Sequence, residues 1–439
     1  MSTNYSSTRS SKHSTRHSTT TTEAGKATAR RILLLSAYDA HSHQQWRHTL
    51  CDMFPDDHWT CLSLPPRHFA WRVRGNSLSW AFNHRQTLTD NYDLLIVTSL
   101  TDLSSLRGFV PELTCLPTLV YFHENQFGYP TNTPPSPPAH PAATQAPDLT
   151  AGHPDAKQTN DQSNKVNAQV LSLYTALCAD HIAFNSQWNQ RSFFDGLEKL
   201  LTKLPDHVPD GLMQQLRARS SVLAVPLPDR LFPENANQNN DTRHLPGKND
   251  TLQIVWNHRH EYDKGPALLL AIVQRLVSQG LSFRLHLLGQ RFRNEPEEFS
   301  RIRTLLAQHY TEFDIAPGID KWLPSRKEYE QTLTQSDIVL STALHDFQGL
   351  SILEAMALGC IPLAPAALAY PEYIDADYLY DVSGCALSEQ AAAACEKIIT
   401  WHGQWQHLAV RPPAIDVSQF STDVMREPWA EVMTRLLAP

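Results

Sequence analysis

Residues 337–362 read D-I-V-L-S-T-A-L-H-D-F-Q-G-L-S-I-L-E-A-M-A-L-G-C-I-P. The run Asp337 to Ser341 is short and apolar, the form of a parallel strand covered on both faces. An acid, Asp346, then precedes a glycine turn, and Gly349 to Leu358 has helical character. Such a helix starts at the carboxyl end of its strand, where its unpaired N–H groups favour a diphosphate and a glycine lets the backbone approach it. Asp346 and Glu354, with seven residues between them, offer ionised acceptors to sugar hydroxyls. The segment reads as a sugar-nucleotide site.

The same strand-then-helix unit recurs on both sides of it. Downstream of residue 250, strands are expected at Leu252 to Trp256, Phe283 to Leu288 and Ile361 to Ala364, with helices near Gly265 to Gln279 and Ser325 to Gln335. Upstream, Arg31 to Ser36, Tyr92 to Ser99, Thr118 to Phe122 and His181 to Asn185 have strand form, and a helix is expected from Gln44 to Phe54. This alternation predicts an α/β fold of two Rossmann-like, doubly wound parallel-sheet domains facing each other across a cleft. The expected divisions are a basic, Ser/Thr-rich, disordered leader over 1–28, a first domain over 29–225, a linker over 226–250, a second domain over 251–415, and a C-terminal helix over 416–439 that returns to the first domain. Within the first domain, the Pro-rich insertion 130–164 is expected to be flexible, with neither strand nor regular helix.

Composition narrows the function. At 439 residues, with 41% hydrophobic and 19% charged side chains, the chain can bury two sizeable cores. The formal charge of −8 argues against a protein that coats nucleic acid nonspecifically. No apolar run approaches the roughly 20 residues of a membrane span, and the N-terminus lacks the apolar core of a secretory signal, so a cytoplasmic protein is expected. Seven scattered cysteines, none in C-x-x-C spacing, read as reduced thiols rather than a disulfide framework or zinc cage. No metal and no cofactor is expected.

The chemistry is sought in strand-end loops. After Trp256 the chain reads N-H-R-H-E-Y-D-K-G, with Arg259 and Lys264 able to reach one diphosphate from two directions. Their other reading is a pair of surface cations bound to Glu261 and Asp263. After Phe122 comes His123-Glu124-Asn125-Gln126, and after Ser36 a polar loop carries His41 and His43. A zinc helix starting at His123-Glu124 lacks its second histidine.

Asp346 and Glu354 resemble the E-x7-E signature of the retaining GT-B glycosyltransferases of group four, with Asp where most members have Glu. The resemblance implies that Arg259 and Lys264 hold the donor diphosphate, that Glu354 binds ribose, and that Asp346 with the backbone of Phe347, Gly349 and Leu350 meets the hexose. It places Gly289, Gly318 and Trp322 at the nucleobase, although Trp322 could equally be core. His123 would face the anomeric centre, with Glu124 orienting it or touching the acceptor. A closer resemblance is carried by L-P-P-R-H-F-A-W-R (64–72), H-E-N-Q-F-G-Y-P (123–130), A-D-H-I-A-F-N-S (179–186) and W-N-H-R-H-E-Y-D-K (256–264). These look like the tRNA-queuosine mannosyltransferase family.

That family implies GDP-mannose as co-substrate and queuosine at the wobble position of tRNA as acceptor. Arg67, His68, Trp71 and Arg72 then become candidates for anticodon contacts, with His41, His43, Asn125 and Asn185 completing the acceptor side. Two other readings are open. One keeps the donor site and assigns a glycan, lipid or small-metabolite acceptor; the other is a noncatalytic nucleotide-sugar or RNA-binding adaptor.

Overall fold

Residues 29–128, 154–203, 208–232 and 251–438 are described in the computed structural model. The leader 1–28, the Pro-rich stretch 129–153 and residues 233–250 of the expected linker lie outside them. The first sheet contains β1 (Arg31–Ser36), β2 (His58–Ser63), β3 (Leu94–Thr98), β4 (Thr118–Phe122), β5 (His181–Phe184) and β6 (Ser220–Val222), all parallel in the order β2-β1-β3-β4-β5-β6. The second contains β7 (Leu252–Trp256), β8 (Phe283–Leu287), β9 (Ile338–Leu340), β10 (Ile361–Pro365) and β11 (Leu379–Tyr380), parallel in the order β11-β10-β9-β7-β8.

Strand order reverses between β1 and β3 in one sheet and between β7 and β9 in the other. Crevices open outside the carboxyl ends of strands at such points. These are the ends from which the loops bearing His41, Arg259 and Asp346 emerge.

Alternation along each strand fills two layers. Leu33, Leu35, Leu95 and Val97 face one side of the first sheet with Val120, Phe122 and Phe184. Ile32, Leu34, Leu94, Ile96 and Tyr121 face the other, against Trp46 and Leu50 of the helix His41–Met53 and against Trp429 and Met433 of the helix Thr422–Leu437. The last described helix therefore covers the first sheet. Trp429 is fully buried, 5.1 Å from Tyr121 between ring centroids, and its indole N–H donates to the carbonyl of Ala224 at 3.3 Å.

Two expectations are corrected. The segment Pro154–Leu177 is one helix, so the last part of the expected insertion 130–164 is regular. Its prolines end at Pro154, which takes the first helical position, where a missing N–H costs nothing. The opening of the expected linker 226–250 is packed, because Leu227 and Leu231 are fully buried in the second core and Leu227 N–H donates to Phe420 O at 2.6 Å.

The seam is held by specific bonds. Gln348 clamps the backbone of Val225 through both N–H (2.9 Å) and C=O (3.1 Å), and Glu372 accepts the N–H groups of Gln187 and Trp188 at the start of the helix Gln187–Lys203. Replacing Trp429 by Ala is expected to lower unfolding free energy by about 3–5 kcal/mol, measured by denaturant titration.

Candidate active site

The second domain's wall is built by the two loops that leave adjacent strands β7 and β9. Lys264 is 8% exposed; its ammonium donates to His345 O at 2.6 Å and lies 3.3 Å from Asp263 and 3.8 Å from Asp346. Arg259 is half exposed and meets Glu261 at 2.7 Å and Asp263 at 3.7 Å. Arg259, Asp263, Lys264 and Asp346 thus form one continuous chain of charges. Both cations are paired with local acids, as the second reading expected, and the pairs share Asp263.

Asp346 accepts the Gly349 N–H at 3.1 Å and the Tyr370 hydroxyl at 3.0 Å. Burial opposes its charge, yet the nearby Lys264 ammonium, helped by His258 and the Tyr370 bond, holds its carboxyl below the ordinary value. Gly349 begins the helix Leu350–Ala357 with φ 75°, and a Cβ there would stand 2.5 Å from Tyr373 Oη and 2.8 Å from Tyr370 Cε1. Only glycine fits this turn. Phe347 is buried and reaches across the seam to Gly128, while Leu350 is half-buried against apolar residues of both domains.

Glu354 is 5% exposed and fully engaged. Its Oε1 accepts from Arg326 at 2.5 Å and from Gln45 Nε2 at 2.9 Å; its Oε2 accepts from the Tyr329 hydroxyl at 3.1 Å. Tyr329 in turn accepts from Asn257 at 3.0 Å, which ties Glu354 to the loop carrying Arg259 and Lys264. Gln45 comes from the opposite domain.

On the facing wall His123 is 7% exposed, with His43 at 4.2 Å, Trp46 at 4.5 Å and Tyr121 at 4.7 Å between ring centroids. Its Nε2 is buried without a hydrogen-bond partner among the described residues. Burial first, and then the neighbouring His43, push its pKa well below the usual range, so the ring is a neutral hydrogen-bonding group. His43 is buried too, and burial lowers its pKa against the pull of Glu124 and Asp39. The Tyr38 hydroxyl lies within electrostatic reach of Glu124 and Arg72 on its own side and of Arg259 and Glu261 on the other. Glu124 and Arg259 therefore face one crevice.

Asn125 and Asn185 do not reach into it, which corrects their expected acceptor contacts. The Asn125 amide donates to Asn189 and Ser192 and accepts the N–H groups of Phe127 and Gly128; Asn185 donates to His123 O at 2.9 Å and accepts from Asn189 at 2.7 Å. Their polar atoms shape the His123 loop instead.

His41 is also placed differently, because its ring meets Trp322 edge to face at 5.6 Å. The two line a cavity of about 440 Å³ with Gln44, Gln290, Arg291 and Lys321, so His41 stands between the two domains. Trp322, 45% exposed, is not core. Gly289, at φ 149°, lies so close to the loop of Arg259 that a Cβ would meet His258 O at 1.8 Å; its glycine is explained by that approach. Gly318 is likewise pressed against Leu285 O.

Arg67 and His68 are exposed, Trp71 is 59% exposed, but Arg72 is buried at 9%. Trp71 and Arg72 lie in the first turn of the helix Phe69–Asn83 rather than in a loop, and Arg72 falls on its inner stripe with Asn76 and Trp80.

Sequence reasoning missed Gln45, Arg326 and Tyr329 around Glu354. It also missed His258, 4% exposed between Ser341 at 3.1 Å and Ser351 at 3.4 Å. The run 256–264 stands out as a motif, yet nothing in a single sequence shows that His258 points inward. Among the described residues no His, Cys, Asp and Glu cluster could hold a metal ion, and no helix is long and apolar enough to cross a membrane.

Residues 31–152 and 154–227 match the family described as tRNA-queuosine alpha-mannosyltransferase N-terminal, and residues 237–403 match glycosyl transferases group 1. A tRNA-queuosine alpha-mannosyltransferase of Drosophila melanogaster is 29% identical over 368 residues, covering 83% of this chain and 86% of that protein. Of solved structures, the UDP-forming trehalose-phosphate synthase of Burkholderia xenovorans has a TM-score of 0.57 at 13% identity, over 94% of this chain and 100% of that one. Anabaena HepE, solved with UDP and glucose, has a TM-score of 0.54 at 15% identity, over 92% of this chain and 100% of that one. The latter two likenesses concern fold. Two facing parallel sheets with a wall of this kind define a glycosyltransferase of GT-B fold. Within that class, the first domain matches the tRNA-queuosine alpha-mannosyltransferase N-terminal family and the second matches glycosyl transferases group 1.

Burial holds His258, His286 and His345 down to a pKa of about 4 from 6.5. Above pH 6.5 neither folded nor unfolded chain protonates them; between 6.5 and 4 the unfolded chain takes up protons that the folded one refuses. Melting temperature is therefore expected to fall steadily from pH 6.5 to 4. A flat profile in differential scanning fluorimetry would contradict this burial.

Proposed function

We propose that this protein transfers mannose from GDP-mannose to the cyclopentene-diol of queuosine at the tRNA wobble position, with retention of anomeric configuration and without a metal, in the cytoplasm. The observation that carries the reading is the charge chain Arg259–Asp263–Lys264–Asp346 on one crevice edge, opposite buried His123, in a chain whose first domain matches the queuosine mannosyltransferase N-terminal family. The name of the Drosophila relative supports both mannose and queuosine.

In this mechanism the diphosphate exchanges places with Glu261 and Asp263 as partner of Arg259 and Lys264. Those cations stabilise the charge that grows on the leaving phosphate, where preorganised donors act most strongly. Asp346, kept ionised by Lys264, accepts hydrogen bonds from mannose hydroxyls, and Glu354 accepts from the ribose. Neutral His123 offers its buried Nε2 beside the anomeric carbon. A diol oxygen of queuosine bonds to that carbon from the face the phosphate leaves; its proton passes to the departing phosphate oxygen, and GDP is released. No glycosidase-like carboxylate pair is needed.

Incubating the protein with radiolabelled GDP-mannose and queuosine-containing tRNA should move label into RNA, in a product sensitive to ribonuclease; absence of transfer with every queuosine tRNA would overturn the acceptor. Lys264→Ala and Arg259→Ala are each expected to lower kcat by about 10²–10³ in that assay, as loss of a charge-stabilising donor does. Dialysis against EDTA should leave turnover unchanged. Restoration by a divalent ion after its loss would show the cation clamp to be insufficient.

A further inference from the structure

The helix Phe69–Asn83 is apolar on two opposite sides. Inward it buries Val73, Trp80 and Ala81; outward it shows Trp71, Leu78 and Phe82 at 59, 44 and 71% exposure. Positions 71, 78 and 82 lie on one stripe at helical spacing. Phe82 meets Phe109, itself 43% exposed, edge to face at 5.8 Å, and at the other end Phe69 meets Tyr38, beside the crevice, at 5.6 Å. Trp71, Leu78 and Phe82, extended by Phe109, thus form an exposed apolar stripe on the outer face, and exposed apolar patches of this kind mark interaction sites.

The outer stripe contains a glycine in mid-helix, a poor choice for helix stability. Gly75 is explained by Trp71: a Cβ at position 75 would stand 2.4 Å from Trp71 Cε2 and 2.5 Å from Nε1. The indole thus rests against the helix backbone, while more than half of it remains open to solvent. That is the construction of a fixed stacking platform.

Charge selects the partner. From Asp57 to Asp90 no acidic residue intervenes, while Arg67, Arg72, Arg74 and Arg85 all occur, in a chain of net charge −8. Arg67 is exposed, and Arg74, although 3.5 Å from Asp102, keeps 51% of its side chain exposed. Arg85 is paired with Glu112 at 3.0 Å, so the exposed Arg67 and Arg74 are the cations beside these aromatics, a combination that suits unpaired bases and their phosphates.

We propose that Trp71, seated on Gly75, and Phe82 with Phe109 form a stacking track for unpaired bases of the RNA acceptor, with Arg67 and Arg74 on its phosphates. This rests on the RNA acceptor proposed above. Trp71 and Phe82 are eleven residues apart, roughly 16 Å along the helix. The track is therefore long enough to hold bases beyond the one that reacts.

The test is fluorescence anisotropy with an unmodified anticodon stem-loop RNA, which needs no queuosine. Trp71→Ala and Phe82→Ala should each weaken binding roughly five- to hundredfold, with Trp71→Tyr retaining most of it. Gly75→Ala separates stacking from folding, since it improves helix propensity while displacing the indole: melting temperature should hold or rise as RNA affinity falls. Arg74→Ala should reduce the slope of log affinity against log salt by about one. If the wild-type protein binds the stem-loop and both alanine variants bind it equally well, the track is wrong; a protein partner occupying this face in place of RNA would overturn it equally. If the wild-type protein binds the stem-loop but never transfers sugar to queuosine tRNA, the acceptor reading fails while the track stands; if it binds no RNA, both fail.

Discussion

Lys264 is a nearly buried ammonium held by a carbonyl and two carboxylates, and the geometry of the crevice follows from its needs. A cation removed from water must be paired, and the partners here come from two loops. Asp263 keeps the turn after β7 closed around it and reaches Arg259. His345 and Asp346 bring in the turn after β9, and Asp346 also orders the glycine at the next helix start. Two loops from adjacent strands are thereby locked into one charged edge before any substrate arrives. Cations held in place in this way need little reorganisation to meet an anion.

The opposite wall follows another logic. His123 and His43 are packed among aromatic rings and are neutral because burial disfavours their charged forms. Asparagines rather than ions hold the His123 loop, in a closed set of amide bonds through Asn125, Asn185 and Asn189. The two walls thus differ: ion pairs order the loops after β7 and β9, and neutral amides order the loop of His123. Gln45 joins the two by bonding Glu354 across the seam.

The central strands were legible because they are buried on both faces and read as unbroken apolar runs, as in Ile32 to Leu35 and Leu94 to Val97. Edge strands were not. β2 is half-exposed and polar at both ends, β6 is Ser-Ser-Val, and β11 has two residues, so none carries a pattern to recognise. At the site, charged residues flanking a glycine turn announced themselves, since the spacing of Asp346, Gly349 and Glu354 is local. Partners distant in sequence did not. Arg326 lies 28 residues from Glu354 and Gln45 lies 309 away, and the amides of Asn125 and Asn185 look like ligand contacts until Asn189 is seen between them.

The helix Thr422–Leu437 closes a sheet whose last strand ended at Val222. During synthesis the apolar face formed by Ile32, Leu34, Leu94 and Ile96 must wait for Trp429 and Met433 until the whole second domain has left the ribosome. The first domain's core is completed by a helix that follows the second domain in the chain. A nascent chain stalled within the second domain leaves the part of that face covered by Trp429 and Met433 open to chaperones or to aggregation.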